Sequence, residues 1–525
     1  MADRLRDMSR LAVDGAGIIP YRNLNIFDKL SQDVCHIDFG GVPDYSFLEG
    51  TGTDNTPAIL AAANDLLNRY GGGIIRILGR CRIASDLELP AGVSLWGPAP
   101  FADFLYAALV QYWPNALFVD PDVSITLNSG CSVERLLFAR TGLKVNITSA
   151  QVAAQFAGTP LLQKAGSVGV TVEQCTFLGF ERWFDCEDLG DAVSYGRTQL
   201  IRNRFDCLNG ARLHNMGDVA TLELNHGWPF VTTGSAPEAN QAQNARPGIA
   251  YELTGFHGFT AMDGNFSYDY HIARRVNGTN PMLAAGSICF TNDKIDGYSA
   301  AEPSGKTGYQ ILGNAFEVST ENALIQSQDI GAEINGDNIY DIRMFRMSNP
   351  LFAEIKETIL RTESGDVDVF QPEVRNVLGA NPEGFVNDGD GGLRIWDPVF
   401  RGTQQFAIGR TDNTKGEAAI LGTAQFNSDF SIAAVVNPYL EMFVAVETIN
   451  TTGNETVIYV SGETTIQSFQ SVSKFAGRTF VMIATTALTI GGAGNILTPG
   501  GIALNIPINS RIAITSDGTS FRLSL

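Results

Sequence analysis

Residues 54–77 read DNTPAILAAANDLLNRYGGGIIRI, and this stretch decides how the rest of the chain is read. Asp54 or Asn55 can cap a helix here, and Pro57 sits in the first turn, where a missing N–H costs nothing. Ile59, Ala62, Ala63, Leu66 and Leu67 form one apolar stripe at helical spacing. Gly71, Gly72 and Gly73 end it, because glycine accepts the left-handed cap conformation. A strand, IIRIL, follows at once. Most of the later sequence is different: short apolar runs broken by Gly, Asn and Asp.

Those runs repeat. EQCTFLGF (from 173), IRNRFDCL (201), MDGNFSYD (262), TNDKIDGY (291), LGNAFEVS (312) and NGDNIYDI (335) each place a small polar residue and one spacer before a large apolar residue. The anchors are Phe177, Phe205, Phe266, Ile295, Phe316 and Ile339, and LELNHGWPF adds Trp228 with one extra residue. Successive gaps are 28, 23, 38, 29, 21 and 23. A minimum near 22 with variable excess fits a parallel β-helix, whose coils need roughly 20 or more residues and whose insertions bulge at the turns. Asn or Gly before an anchor suits a tight corner between strands. The early helix then has a purpose. The first coil of a β-helix exposes bare apolar interior and unpaired strand edges, and an amphipathic helix across that end covers them.

Bulk composition narrows the function. The chain has 525 residues, 44% of them hydrophobic, a net charge of −20 and a pI near 4.7. Such acidity argues against nucleic acid and anionic lipid, which need a basic face. The 55 glycines and the low charged fraction of 18% fit many turns and few solvated helices. Seven scattered cysteines without a C-x-x-C read as reduced core residues. MADRLRDMSRLAVDGAG has no apolar run long enough for a secretory signal, and no window approaches a membrane span. Synthesis in a cytoplasm without export signal is therefore expected. Residues 1–34 are polar and irregular, and read either as a disordered leader or as an attachment arm.

IDFGGVPD…GTGTDNTPAILAAANDLLNRYGGGIIRILG…LELPAGVSLWG, Ile37 to Gly97, resembles the opening of the pectate-lyase-like right-handed β-helix superfamily, particularly its phage tailspike branch. The matching pieces are Asp38-Phe39-Gly40, Thr53-Asp54-Asn55-Thr56, the helix, the three glycines and Leu89-Pro90-Ala91-Gly92-Val93. The C-terminal NILTPGGIALNIPINSRIAITSDGTSFRLSL looks like the terminal β-segment of many phage fibres. The resemblance implies a homotrimer in the phage tail, a virion-attached N-terminus meeting a tail or adaptor protein, and a bacterial surface glycan, O-antigen or capsule, as ligand. It is structural rather than catalytic and says little about chemistry. The expected organisation is an all-β chain: an attachment arm over 1–34, a right-handed parallel β-helix over 35–385 with its capping helix at about 55–70, and a β-sandwich-like domain over 386–525, where the repeat spacing is lost.

Cleaving a glycosidic bond takes two carboxyl groups, about 5 Å apart for retention or about 6.5–9.5 Å for inversion. Neighbouring coils lie about 4.8 Å apart. Stacking the repeats on their anchors makes Leu178, Asp206, Ser267, Asp296, Glu317 and Tyr340 one column, in which Asp296 and Glu317 are consecutive. Asp293 joins them if the corner bends between. These three are the expected catalytic acids, and mutual repulsion would raise one pKa as a general acid requires. A second cluster surrounds His214, His226, His257 and His271: Trp228, Asp263, Tyr268, Asp269, Tyr270, Arg274 and Arg275. An Arg pair beside His and Tyr suits proton abstraction from a uronate. Trp228, Tyr268 and Tyr298 offer flat faces for sugar stacking. CEDLGD lacks the spacing of a calcium loop, no Gly-x-Ser-x-Gly elbow occurs, and neither a metal nor a cofactor is expected. The expectation is a tailspike that binds and hydrolyses surface polysaccharide. A polysaccharide lyase and a non-catalytic receptor-binding fibre are the alternatives.

Overall fold

The computed structural model describes residues 20–21 and 24–25, then 32–401 apart from 99–112, 145–146, 148, 188–192, 232–244, 279–284, 298–304, 336–343 and short gaps between 364 and 391; beyond 401 it describes the strands and some turns. The chain divides into two compact units, Met1–Asp329 with Asp337–Ile342, and Ile330–Gly336 with Arg343–Leu525.

In the first unit the helix spans Thr56–Tyr70, with Pro57 in its first turn and Gly71 left-handed at its C-terminus. Ile59, Ala62, Ala63 and Leu66 are fully buried, whereas Leu67, expected on the same stripe, is 39% exposed. The helix packs on Gly73–Arg76, Leu87–Leu89 and Val93–Trp96. Gly73 shows why the glycines are there. Its φ is +155°, and an added Cβ would meet the Gln32 carbonyl at 2.5 Å and the Leu66 side chain at 2.9 Å. Only a bare backbone passes so close.

Parallel coils follow. In register on one face stand Phe138, Phe177, Phe205, Gly227, Ser267, Ile295 and Ile325. The expected repeat is real, but its phase slips twice. At the third and fourth expected anchors the interior place belongs to Gly227 and Ser267, and Trp228 and Phe266 face outward. The small-polar, spacer, interior pattern is kept by Asn225-His226-Gly227 and Asn265-Phe266-Ser267. Apolar size misled the count by one residue. Phe316 is also no anchor: it is 47% exposed, and Ile325 takes its place opposite Ile295. Ile339 lies outside the described residues.

Buried asparagines stitch one corner. The Nδ2 groups of Asn203, Asn225 and Asn265 donate to the carbonyls of Val172, Leu200 and Leu222 at 2.9, 2.7 and 2.8 Å. Their Oδ1 atoms accept from the amides of Cys175, Asn203 and Asn225. Each side chain thus satisfies backbone groups that the turn would otherwise bury unpaired. All seven cysteines are free thiols, and Cys81, Cys131, Cys175, Cys186 and Cys207 are buried.

The second unit contains further parallel ladders. Phe345–Ser348, Val367–Phe370, Gly392–Trp396 and Glu417–Leu421 pair in succession. Another ladder runs from Ile330–Asn335 to Ser431–Val435. Parallel pairing therefore continues well past residue 386, where the lost spacing suggested a change of fold. From Met442 a six-stranded sheet mixes parallel and antiparallel pairs. Its Met482, Ile512, Ile514 and Phe521 form a buried cluster with Ile490 of the two-stranded sheet Leu488–Ile490 and Leu504–Ile506.

Candidate functional site

Strand alternation sorts the side chains. With Gly227 and Ser267 inside, His226, Trp228, Phe266 and Tyr268 must point out. The next coil adds Lys294 and Asp296, which flank interior Ile295. The result is an outward array two residues wide and three coils long. Trp228 and Tyr268 have ring centroids 4.5 Å apart, and His226 meets Phe266 edge-on at 4.8 Å. Trp228 also lies 6.0 Å from both His226 and Phe266. The Trp228 indole N–H is buried with no acceptor among the described residues, and the ring also packs on the cluster of Phe118, Leu178 and Phe230. Arg204 continues the His226 column by one coil. Burial, with the Arg204 guanidinium alongside, pulls the His226 pKa down to about 4, so the ring is neutral at neutral pH.

Asp296 is level with Tyr268 on this face, and its Oδ1 accepts the Gly297 amide at 2.7 Å. Glu317 is not its neighbour, which corrects the expected stacking. The Glu317 carbonyl accepts from the Ile288 amide, and its Oε2 lies 3.5 Å from Ser287 Oγ. It belongs to the sheet of Ala285–Thr291. The coil above Asp296 brings Gln326, the residue after Ile325, into the column. The pairing failed because it was built on Phe316 as an anchor.

Three further expected residues line the interior. Arg274 is fully buried, with its Nε 2.7 Å from Asp293 Oδ2, its Nη1 2.9 Å from Ser267 Oγ and its guanidinium 4.6 Å from the Tyr251 ring. Tyr309 also donates to Asp293, at 3.2 Å. Burial pushes the Asp293 carboxyl above its ordinary value, opposed by Arg274. Asp269 is buried in an ion pair with Lys306. Asp206 and Arg246 make an equivalent pair at 2.8 Å. These are buried braces, and Asp293 is not placed beside Asp296 as a second surface acid.

The histidines do not form one cluster. His257 is fully buried, with its ring nitrogens 2.9 Å from Thr260 Oγ1 and 3.1 Å from the Thr254 carbonyl, and burial lowers its pKa to about 3. His214 is held by Thr254 and Asn215. His271 is half-buried, and burial lowers its pKa as well. Arg275 belongs to a surface ion ladder on another sheet. There Asp185 pairs with Arg212 at 2.6 Å, Arg182 with Glu252 at 3.1 Å and Arg275 with Glu252 at 3.8 Å. Arg275 also donates to Gln310 at 2.8 Å. Asp263 is exposed, opposite Glu223, and accepts from Asn292 Nδ2 at 3.0 Å. Tyr298 lies outside the described residues.

Of the expected residues, His226, Trp228, Tyr268 and Asp296 come together. The reading missed Phe266 and Lys294 as surface groups, and Arg204 altogether. The alternation N-H-G-W and N-F-S-Y carries the signal, since each aromatic stands one place from a small residue.

No family model and no curated protein matches this sequence. Solved structures do. The tailspike protein of Escherichia coli bacteriophage HK620, in complex with a pentasaccharide, aligns over 92% of this chain and 88% of its own, at 13% identity and a TM-score of 0.52. A double mutant of that tailspike aligns over 93% and 89%, at 12% identity and 0.53. The catalytic unit of a GH87 α-1,3-glucanase from Streptomyces thermodiastaticus covers 77% of this chain and 69% of its own, at 11% identity and 0.41. Parallel register coil after coil and the likeness to HK620 meet in one conclusion: the chain has the tailspike-like right-handed parallel β-helix fold.

Proposed function

We propose that this chain is a phage tailspike that binds bacterial surface polysaccharide, O-antigen or capsule, along the face of His226, Trp228, Phe266, Tyr268, Lys294 and Asp296. The observation that carries the reading is the outward Trp228–Tyr268 pair, 4.5 Å apart on consecutive coils and continued by Asp296. Aromatic faces hold the apolar sides of sugar rings, and flanking polar groups take the hydroxyls. The homotrimer, the N-terminal attachment to the virion and the role of the helix Thr56–Tyr70 as an end cap belong to this reading. The HK620 complex with a pentasaccharide supports it by fold.

In this reading the chain is an endoglycosidase and Asp296 is its solvent-facing carboxyl. A panel of purified O-antigens and capsules tests both steps. Binding with new reducing ends and no ultraviolet absorbance of unsaturated uronates is the hydrolase result. Asp296→Asn should then lower cleavage about 100-fold or more while binding persists. Wild-type cleavage by that variant would remove Asp296 from the chemistry. The non-catalytic fibre is the second reading. It is favoured by the neighbours of Asp296 in its column, Tyr268 and Gln326, neither of them an acid. Binding without any release of fragments is its signature.

A further inference from the structure

Beside the aromatic array the surface sinks into a hollow of about 410 Å³, lined by Gln174, Arg202, Arg204, Leu224 and His226. Its volume lies within the range of small-ligand sites, roughly 300–1,000 Å³. Three coils build it. Gln174, Arg202 and Leu224 occupy successive copies of one corner, all left-handed, with φ of +53°, +55° and +53°. Arg204 and His226 are the first outward residues of the strands that follow two of those corners, and they stand in register. His226 belongs to both places, since its ring also meets Phe266.

The lining is unusual for this molecule. The chain carries a net charge of −20, yet the described residues that line this hollow include two arginines and no carboxylate. The nearest acids in sequence, Glu173 and Glu223, come just before the corner residues Gln174 and Leu224. Gln174 Nε2 donates to Glu173 Oε1 at 3.3 Å. Guanidinium groups present paired N–H donors that match a carboxylate. A neutral sugar needs none of that charge, whereas an acidic one is selected by it.

We propose that this hollow binds the carboxylate of an acidic sugar, a uronate or a sialic-acid-type residue, within the polysaccharide held by Trp228 and Tyr268. The inference rests on the glycan-binding reading of that face and adds the chemical class of the ligand. Arg202 and Arg204 supply the charge, Gln174 and neutral His226 supply hydrogen bonds, and Leu224 covers the apolar edge of the ring.

Ligand-observed NMR with glucuronate, galacturonate and N-acetylneuraminate, each compared with its methyl ester, tests the assignment on the full chain. At least one acid should bind, and its ester should bind about tenfold more weakly or worse. Arg202→Gln and Arg204→Gln should each weaken the acid by about tenfold and leave the ester unchanged. Arg202 is exposed, so its variant keeps the fold. Equal binding of acid and ester, or no binding by any of the three acids, overturns the inference. Trp228→Ala separates it from the parent reading. If that variant loses polysaccharide while the arginine variants do not, the aromatic face stands and the acidic-sugar assignment falls. If acids bind through the arginines but Trp228→Ala leaves polysaccharide affinity intact, the hollow stands and the aromatic face falls.

Discussion

Two successive stretches of the same ladder solve the problem of filling a coil in opposite ways. Where Phe138, Phe177 and Phe205 occupy the interior place, rings stack along the axis, with Phe138 and Phe177 4.8 Å apart. Where Gly227 and Ser267 occupy it, the interior is filled from the neighbouring sheet by Tyr251, Tyr270 and buried Arg274. The second solution places large side chains on the outer side of the coil. His226, Trp228, Phe266 and Tyr268 make that face, half-buried against one another, with Trp228 also packed on the cluster of Phe118, Leu178 and Phe230. Small residues inside and aromatics outside are two sides of one register.

The sharpest way to break this comparison is to remove the guanidinium that replaces an aromatic core. Arg274→Ala leaves Asp293 buried without its cation and should cost about 3–5 kcal/mol, measured by denaturant unfolding. An Arg274→Met, Asp293→Leu double variant should recover much of that loss, since a packed apolar pair avoids both desolvation costs. Ile325→Ala should cost about 2–5 kcal/mol as an interior cavity, whereas Phe316→Ala should stay within about 0.5 kcal/mol. Equal losses at the two sites would put the register in error.

Gly227→Ala should cost about 1–3 kcal/mol, because the new Cβ would lie 2.7 Å from Phe205 Cζ and 2.8 Å from its Cε2. On the outer side affinity changes as well. Trp228→Ala should change polysaccharide affinity by about tenfold, at a stability cost of about 1–3 kcal/mol because part of the ring packs on the buried cluster beside it. Acid sharpens the comparison further. His257 and His226 are held neutral in the fold, with pKa values lowered to about 3 and about 4, while the unfolded chain titrates at 6.5. Below pH 6.5 the unfolded state takes up protons that the native state refuses, so stability falls as pH drops towards 3 and is unaffected above 6.5. His257→Gln should flatten that slope in melts recorded from pH 7 to pH 4.

Much of the fold was legible because backbone requirements leave marks in single residues. Gly71 to Gly73 announced the helix end, and Asn203, Asn225 and Asn265 announced the corners. The register between 226 and 316 was harder, because an anchor was identified by its own apolar size. At Gly227 and Ser267 the volume comes from Phe205, Tyr270 and Arg274 on other strands, and a residue's own size does not state which ring or guanidinium will arrive. One sign was present. Arg274 alternates in phase with Tyr270, Ile272 and Val276, all buried, so period two already placed it inside. The site followed the register, which is why Trp228, Tyr268 and Asp296 came together and Glu317 did not.

The left-handed corner also bears on how such a molecule can vary. At Gln174, Arg202, Leu224, Gly264 and Asn292 the same bend is closed by an amide donating to the next coil, at 2.8–3.0 Å, to the carbonyls of Ile201, Glu223, Asp263, Thr291 and Glu321. Carboxamides, a guanidinium, an isobutyl group and a bare glycine are all accepted because main-chain atoms make the closure. Variation there can rewrite what the rim touches, one corner at a time, while the main-chain closure is kept.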